Sequence, residues 1–179
     1  MNSFEKKLKI IRIVLLLIPF FVLGWLIQKN FVFSGQMEAA YNFDKNNPFI
    51  SILTPAGRTL GVEKYVNSDY TQKIIVEPVY FDLYMPTKFN KANFTFIYKA
   101  PSGRSVRVGQ QIFDSGWNYH FEDLNCEKII NSWCVGNINF DLSKAYIEDK
   151  KINFIISSPG LDVSGEDIEL TQIKVVLSK

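Results

Sequence analysis

The sequence predicts an all-β fold, an antiparallel β-sandwich, preceded by one N-terminal transmembrane helix. Three observations indicate this fold class: an uncharged apolar run near the N-terminus, a period-two alternation of apolar and polar residues beyond it, and turn residues at short intervals. The 179 residues are 47% hydrophobic and 21% charged, with 15 Phe, 8 Tyr and 3 Trp. This composition is too apolar and too aromatic for a disordered chain, so we expect a packed core.

The apolar run covers Ile13 to Ile27 and contains no charged side chain. With the two isoleucines before Arg12 it reaches about 18 residues, or about 27 Å of helix, close to the roughly 30 Å hydrocarbon core of a bilayer. Arg12 can extend to the headgroups at one end, Trp25 lies near the other interface, and Pro19 is tolerated inside a membrane span. We therefore predict a transmembrane helix at residues 13–28.

The charges divide unevenly along the chain and set the orientation of this helix. Residues 1–12 carry four basic side chains against Glu5, a local balance of +3, whereas the remaining 16 basic and 17 acidic residues balance at −1. The positive-inside rule then keeps residues 1–12 in the cytoplasm as a basic flank and places 29–179 outside. We expect a single-pass protein of the plasma membrane, in a bacterial envelope, with the lipid bilayer as its first partner.

Two further consequences follow from the same charges. A cleaved signal peptide has a similar basic start and apolar middle, and cleavage before Gly35 is the alternative to a retained signal anchor. The segment beyond the anchor has no basic stripe to neutralise phosphates, so nucleic-acid binding is excluded.

The strands follow in order beyond the anchor. The first alternating stretch runs from Phe31 to Asp44, and Asn46–Asn47–Pro48 ends it. Turns that combine proline and glycine, at Pro55–Arg58 and Pro101–Arg104, separate later strands. Those later strands are predicted at 49–53, 74–76, 79–85, 93–98, 105–113, 117–121, 135–142 and 151–157.

The last strand begins at Ile168, and its apolar parity shifts in a way that predicts a bulge near Thr171–Gln172. Beyond the anchor no segment keeps a 3.6-residue period, and Asp123–Ser132 is the one candidate for a short helix or an irregular turn. About ten short strands in about 150 residues favour an antiparallel sandwich.

Two segments resemble jelly-roll domains of the carbohydrate-binding-module type. In such domains an apolar strand, a Pro-Gly loop and a strand of the form I-x-L-x-x-I-x-V close the fold, as in FIISSPGLDVSGEDIELTQIKVVL. Their paired core strands are similar to PVYFDLYMPTKFNKANFTFIYKAPSG. The resemblance implies a jelly-roll-like β-sandwich and, for most members, glycan binding, although many relatives are structural or bind proteins.

Candidate ligand-binding residues lie on the strand at 79–85. Strand alternation puts Tyr80, Asp82 and Tyr84 on one face, and an acid between two tyrosines on an exposed sheet can stack against and hydrogen-bond a sugar. If both faces are covered, the same tyrosines form a second core layer. Further stacking candidates, provided that they lie on a loop or an open sheet, are Trp117, Tyr119 and Trp133.

The two cysteines, Cys126 and Cys134, are eight positions apart. An extracytoplasmic location permits a disulfide, which requires Cα atoms within about 7 Å. Two free thiols and a metal-binding pair are the alternatives, and the sequence leaves the three open.

Little in the sequence supports catalysis. His120 is the only histidine, so any Ser-His-Asp or Cys-His mechanism would depend on it, and no G-x-S-x-G motif is present. We expect no enzyme, no cofactor and no metal site. A glycan-active hydrolase or lyase of jelly-roll type is the alternative, because paired carboxylates cannot be recognised from spacing alone.

Two functions fit these inferences: a binding module for an envelope glycan, and a noncatalytic subunit that docks to a multi-span membrane protein. Only Gln28–Asn30 separates the predicted helix from the predicted first strand. A module that reaches distant polymer more often carries a long flexible linker. The short connection therefore favours a membrane protein partner or a membrane-proximal glycan.

Overall fold

The computed structural model describes residues 3–31, 35–64, 70–112 and 118–179, and in the N-terminal helix it describes the side chains of residues 9 and 12–26. The chain divides into two compact units, Met1–Gln36 and Met37–Lys179.

The first unit contains one long helix, α1 (Ser3–Phe31), with Pro19 inside it. Its described side chains from 12 to 26, including Arg12, Pro19 and Trp25, are all exposed. Among the residues that the structure describes, no helix combines the length and the apolar character needed to cross a membrane. The helix continues to Phe31, where the alternation predicted the start of a strand.

The second unit is a β-sandwich, with a short helix α2 (Leu161–Ser164) and one-turn 3₁₀ helices at Ala56–Arg58 and Leu142–Lys144. Its described strands are β1 (Gln36–Tyr41), β2 (Glu63–Lys64), β3 (Tyr70–Ile74), β4 (Val79–Tyr84), β5 (Lys91–Lys99), β6 (Arg107–Gln111), β7 (Tyr119–Asp123), β8 (Lys128–Ile130), β9 (Trp133–Asp141), β10 (Lys151–Ser157) and β11 (Ile168–Ser178).

These strands form two antiparallel sheets. One sheet has the order β2-β3-β11-β5-β9-β8, with β1 also paired to β11, and the other has the order β4-β10-β6-β7. We call them the seven-stranded and the four-stranded sheet. The sandwich predicted from the alternation is therefore confirmed.

The inward positions of both sheets meet in an aromatic core. Phe154 of the four-stranded sheet stacks on Phe81 with ring centroids 5.4 Å apart, and its edge meets Phe94 and Phe140 of the opposite sheet at 4.8 and 5.4 Å. All of these rings are 2% exposed or less. Among the side chains that the structure describes, the buried core lies between Ala39 and Leu177, so the second unit holds the hydrophobic contacts that it needs to fold without the helix.

The predicted strand from Phe31 to Asp44 is too long. Among the described residues of this stretch, only Gln36–Tyr41 is a strand, and it ends at Tyr41 because Phe43 adopts a left-handed backbone with φ of 61° and leaves the ladder. This bend places the Phe43 ring against Tyr41, with centroids 4.6 Å apart, and both side chains are buried. Burial of two aromatic rings thus ends the strand earlier than the alternation suggests.

The sequence predicted the bulge in β11 correctly and the conformation of Asp123–Ser132 incorrectly. The bulge is confirmed, since the pairing of β11 with β5 shifts register between Leu170 and Gln172. The segment Asp123–Ser132 contains a short strand, β8, instead of a helix. It pairs with β9 through a turn at Asn131 and Ser132, both at positive φ, as a tight hairpin requires.

The aromatic core predicts a large mutational effect at its centre. Phe154→Ala in the unit 37–179 should lower the free energy of unfolding by about 3–5 kcal/mol, because it removes a ring that touches both sheets. Urea denaturation measures this loss. Ile129→Ala is the control, since Ile129 is 69% exposed and should change the free energy by less than about 0.5 kcal/mol. Equal effects of the two variants would contradict this assignment of the core.

Candidate ligand-binding face

The outer face of the four-stranded sheet carries the candidate residues of β4. Along this strand Val79, Phe81 and Leu83 point into the core. Tyr80, Asp82 and Tyr84 alternate with them and are half-buried, as the parity of the sequence predicts. They are therefore neither a second core layer nor fully open to solvent.

Strand register brings polar partners to Asp82 from distant parts of the chain. Asn153 of β10 lies directly opposite Asp82, and its Nδ2 donates to Asp82 Oδ1 at 2.7 Å. The hydroxyl of Tyr119 on β7 donates to Asn153 Oδ1 at 2.6 Å. The backbone N–H of Asp82 donates to Ser51 Oγ at 2.8 Å. Tyr119, Asn153 and Asp82 thus form a continuous hydrogen-bond chain across the sheet.

This chain has a fixed direction at neutral pH. Burial, together with the neighbouring Tyr80 and the Asp82 carboxylate, raises the pKa of Tyr119 to about 12. The phenol consequently stays protonated and acts as a donor, and the chain ends on a carboxylate. The face therefore offers a fixed acceptor at Asp82, with no rearrangement required.

A second row of the same face is aromatic. Cross-strand register aligns Tyr80, Ile155, Gly109 and Phe121 across the four strands. The Tyr119 ring lies 6.4 Å from Tyr80 and 6.1 Å from Phe121, between centroids. Three rings thus follow one another across the sheet, beside the polar chain.

Gly109 allows the Phe121 ring to approach the sheet closely. A Cβ at this position would stand 2.6 Å from Cγ2 of Ile155, a separation that real Cβ atoms essentially never show, and 3.0 Å from Cε1 of Phe121, which is a tight contact. The Phe121 ring occupies the space above the glycine and shields Ile155, which is buried on this outer face. The Arg107 guanidinium lies 5.3 Å from the centre of the Phe121 ring and holds it through a cation–π contact.

A cavity of about 200 Å³ opens next to Asp82. The sheet supplies part of its lining, with Asp82, Gln111 and Asn153. The remainder comes from Tyr146 and from a tight turn before β10, with Glu148, Asp149 and Lys151. Glu148 and Lys151 exchange backbone hydrogen bonds, and Asp149 and Lys150 adopt positive φ between them. The cavity therefore has a polar lining held by backbone structure.

The other candidates lie elsewhere. Tyr84 packs at the edge of the sheet against Phe49, with ring centroids 6.5 Å apart. Trp133 belongs to β9 of the seven-stranded sheet, not to the sheet that carries this row. Trp117 lies outside the described residues. Of the six candidates, the structure brings together Tyr80, Asp82 and Tyr119.

Three residues of this face escaped the sequence reasoning: Asn153, Phe121 and Tyr146. Asn153 interrupts the apolar run of β10 with a single amide, and Phe121 shares the parity of Tyr119 on β7. Both signals were present in the sequence. Their meaning depends on which strands are neighbours, which local periodicity does not reveal.

The cysteines are joined in a disulfide, Cys126–Cys134, with Cα atoms 5.2 Å apart. The bond ties the loop after β7 to the beginning of β9. Gly136 lets this loop approach β9, because a Cβ there would stand 2.6 Å from the carbonyl oxygen of Asn125. A cavity of about 330 Å³ adjoins the disulfide, on the seven-stranded side of Leu124.

The geometry offers little for catalysis. His120 is largely exposed, and its Nε2 lies 3.0 Å from Glu122 Oε1. Within the part of the chain that the structure describes, no three His, Cys, Asp or Glu side chains converge in a way that could hold a metal ion. The arrangement is instead suited to binding, since aromatic rings and hydrogen-bonded polar groups share the outer face of one sheet.

The close approach at Gly109 is testable by adding one methyl group. Gly109→Ala should lower the free energy of unfolding by about 1–3 kcal/mol, because Ile155 and Phe121 must both move. Thermal melting measures the change. Gly57→Ala is the matched control, as nothing lies within 4 Å of a Cβ there. If Gly109→Ala melts at the wild-type temperature, Phe121 does not lie on the sheet.

The fold has relatives among solved structures, although no protein-family model and no curated protein sequence matches the chain. The xylan-binding domain CBM22-1 of Xyn10C from Paenibacillus barcinonensis is 10% identical with a TM-score of 0.52, over 79% of this chain and 94% of that one. The tandem CBM22-1–CBM22-2 structure from the same protein matches equally well over 44% of its length. A mannan-recognising carbohydrate-binding module, TmCBM27, has a TM-score of 0.48 and 9% identity, over 80% and 99% of the two chains. The resemblance to jelly-roll carbohydrate-binding modules is thus confirmed, and at this identity it shows the fold.

Proposed function

We propose that this chain is a noncatalytic glycan-binding module anchored in the plasma membrane, with the outer face of the four-stranded sheet as its binding surface. The observation that carries the proposal is the row Tyr80–Tyr119–Phe121 beside the Tyr119–Asn153–Asp82 hydrogen-bond chain. An aromatic surface with a few fixed polar groups is the usual composition of a small-ligand site.

The aromatic row supplies contact area for a sugar ring. Sugar C–H faces are apolar, whereas the hydroxyl groups at the ring edge need hydrogen-bond partners. Phe121 is 37% exposed and Tyr80 is half-buried, so both retain surface for a ligand. Because these rings are already held in place by Gly109, Arg107 and Tyr119, little side-chain entropy is lost on binding.

The polar chain supplies the orientation. Asp82 accepts from Asn153 through Oδ1, which leaves Oδ2 to accept from a sugar hydroxyl. The adjoining cavity of about 200 Å³ has room for roughly one sugar residue and presents Gln111 and Tyr146 as further hydrogen-bonding groups. A glycan that crosses the face would thus stack on the rings and insert one residue beside Asp82.

Glycan binding is preferred over docking to a multi-span membrane protein. The fold is shared with a xylan-binding domain, and Phe121 and the half-buried Tyr80 retain exposed surface on the outer face of the four-stranded sheet. The proposal assigns no reaction to the protein: Asp82, Glu148 and Asp149, the carboxylates that line the cavity, serve in it as hydrogen-bond acceptors for sugar hydroxyl groups.

The membrane anchor is part of the proposal and is supported by the sequence. The run from Ile13 to Ile27 is uncharged, and the basic residues of 1–12 precede it. The described apolar side chains from Ile13 to Leu26 are exposed around the helix, which is unfavourable in water and favourable in lipid. The sandwich then lies outside the cell, where a disulfide between Cys126 and Cys134 persists.

Glycan binding is tested by isothermal titration of the unit 37–179 with neutral xylo-, manno- and gluco-oligosaccharides. At least one should bind, and Tyr80→Ala should weaken that binding about tenfold, since an aromatic contact contributes about 0.5–1.5 kcal/mol. Asp82→Asn should weaken it as well, because the amide removes the charged acceptor. Thermal melts establish that each variant is folded.

Trp133→Ala is the matched control for Tyr80→Ala, because Trp133 is half-buried like Tyr80 but belongs to the other sheet. It should leave the affinity unchanged. The proposal fails if no oligosaccharide binds the wild type, or if the Trp133 variant loses as much affinity as the Tyr80 variant.

The topology is tested with reporters fused after Lys179. A reporter that requires export should be active, and a reporter that works only in the cytosol should be silent. Neutral replacements of Lys6, Lys7, Lys9 and Arg12 should produce a mixed orientation, because these residues are the strong charge bias beside the span. Activity of the cytosolic reporter in the unmodified protein would overturn the anchor's orientation.

A further inference from the structure

One end of the sandwich is rich in lysine. This end contains the last residues of β4, β9 and β11 and the first residues of β5 and β10. Its exposed lysines are Lys88, Lys91, Lys144, Lys150, Lys151 and Lys179.

Register and loop contacts bring these lysines together. Lys91 pairs with Ser178 on one side and with Asp141 on the other. The backbone N–H of Asn90 donates to the carbonyl of Ser178, and that of Met85 donates to the carbonyl of Lys150. The lysines of both sheets therefore lie around one end of the domain, which we call the lysine end.

The charge of the lysine end is positive among the described residues. Its six lysines face four acidic side chains, Asp82, Asp141, Glu148 and Asp149, and the C-terminal carboxylate, which leaves a balance of about +1. The Coulombic attraction of Lys144 and Lys91 contributes to a lowered pKa of Asp141, after the hydrogen bonds from Ser143. Asp141 therefore stays ionised, and the excess of lysine persists at neutral pH.

The opposite end of the sandwich has the reverse sign. Its described basic residues are Arg58, Lys73, Lys99, Arg104, Arg107 and Lys128, against the acidic residues Glu77, Glu122, Asp123, Glu127, Asp162, Glu166, Asp167 and Glu169. That end balances at about −2. Among the described residues the two ends therefore carry net charges of opposite sign, and an anionic surface would attract one and repel the other.

The lysine end is also where the chain enters the sandwich. Glu38 of β1 pairs with Lys174 of β11 at 2.8 Å, and Asn42 accepts from Gln172 at 2.7 Å. Residue numbers thus rise along β1 as they fall along β11, so β1 begins beside the final residues of β11. The segment that precedes β1 in the chain is the proposed anchor.

We propose that the lysine end is a docking surface for the anionic phospholipid headgroups of the membrane in which the chain is anchored. The inference rests on the membrane anchoring of the proposed function and adds which end of the sandwich faces the bilayer. Lysines beside an anionic leaflet are attracted to it individually, so six at one end favour one orientation over the reverse. The cavity beside Asp82 borders this end through Lys151, so its ligand would be a glycan close to the membrane.

The test uses the unit 37–179, which contains the entire buried core, and vesicles of defined composition. The unit should sediment with phosphatidylcholine vesicles that contain about one third phosphatidylglycerol, and added NaCl should release it because salt screens exposed charges. It should not sediment with pure phosphatidylcholine. Equal binding to both vesicles, or to neither, would overturn the proposal.

A triple variant locates the surface. Lys88→Gln, Lys91→Gln and Lys144→Gln together should weaken binding to the anionic vesicles about 100-fold, at about fivefold for each lysine. The matched control is Lys64→Gln, Lys99→Gln and Lys128→Gln, which removes the same charge from exposed positions outside the lysine end. The control should retain wild-type binding within about twofold. An equal loss in both variants would show that net charge alone drives binding and would contradict the assignment.

Two further readouts separate this inference from the function on which it rests. None of the three replaced lysines lines the cavity, so the triple variant should bind oligosaccharide as the wild type does. If the unmodified unit binds anionic vesicles but no oligosaccharide, the result counts against the glycan site and supports the lysine end. Binding to soluble inorganic polyphosphate but not to anionic vesicles would overturn the lipid surface in favour of a soluble polyanion.

Discussion

Five phenylalanines, contributed by both sheets, meet between them, and their mutual packing determines where every other residue of the sandwich can lie. Phe81 and Phe154 face inward from the four-stranded sheet, and Phe94, Phe96 and Phe140 face them from the other. A strand that buries one such ring must turn its next side chain outward. The outward positions of β4 and β10 are consequently fixed by the core, not by any ligand.

The candidate face is a direct product of this constraint. Because Phe81 and Phe154 are paired across β4 and β10, the neighbouring pair Asp82 and Asn153 must lie side by side on the outer surface. Strand register alone brings the two side chains together, with 2.7 Å between Nδ2 of Asn153 and Oδ1 of Asp82. The rigid core thus holds a polar contact in place on the outer side of the same strands. Packing of this kind preorganises a binding site before its ligand binds.

Aromatic groups on this sheet pack against one another, and polar groups form a hydrogen-bond chain. Because Gly109 has no side chain, the Phe121 ring can cover Ile155, and the Arg107 guanidinium holds the ring in place. The hydrogen-bond chain begins at Tyr119, whose raised pKa keeps the phenol a donor, and ends at the side chain of Asp82. The same sheet ends at a tight turn whose lysines, Lys150 and Lys151, belong to the positively charged end of the domain. The binding face and the lysine end are therefore neighbours, and a membrane-proximal ligand is consistent with both.

Local sequence determined the elements of this protein because they depend on local physics. The alternation in Val79–Tyr84 follows from which side chains water excludes, and the parity shift at Leu170–Gln172 follows from the extra residue of a bulge. The exit of Phe43 from β1 and the short strand β8 did not follow, because distant packing and an unrecognised hairpin turn decided them.

Only the tertiary structure decided which strands are neighbours, and the candidate site depends on that. Asn153 lies 71 positions from Asp82 and 34 from Tyr119, so their contacts rest on register across the four strands β4, β10, β6 and β7. The same holds for Trp133, which the sequence grouped with Tyr119 and which folding assigned to the opposite sheet. Periodicity states which way a side chain points relative to its own strand. It carries no information about the strand beside it, because pairing is selected by the packing of the whole core.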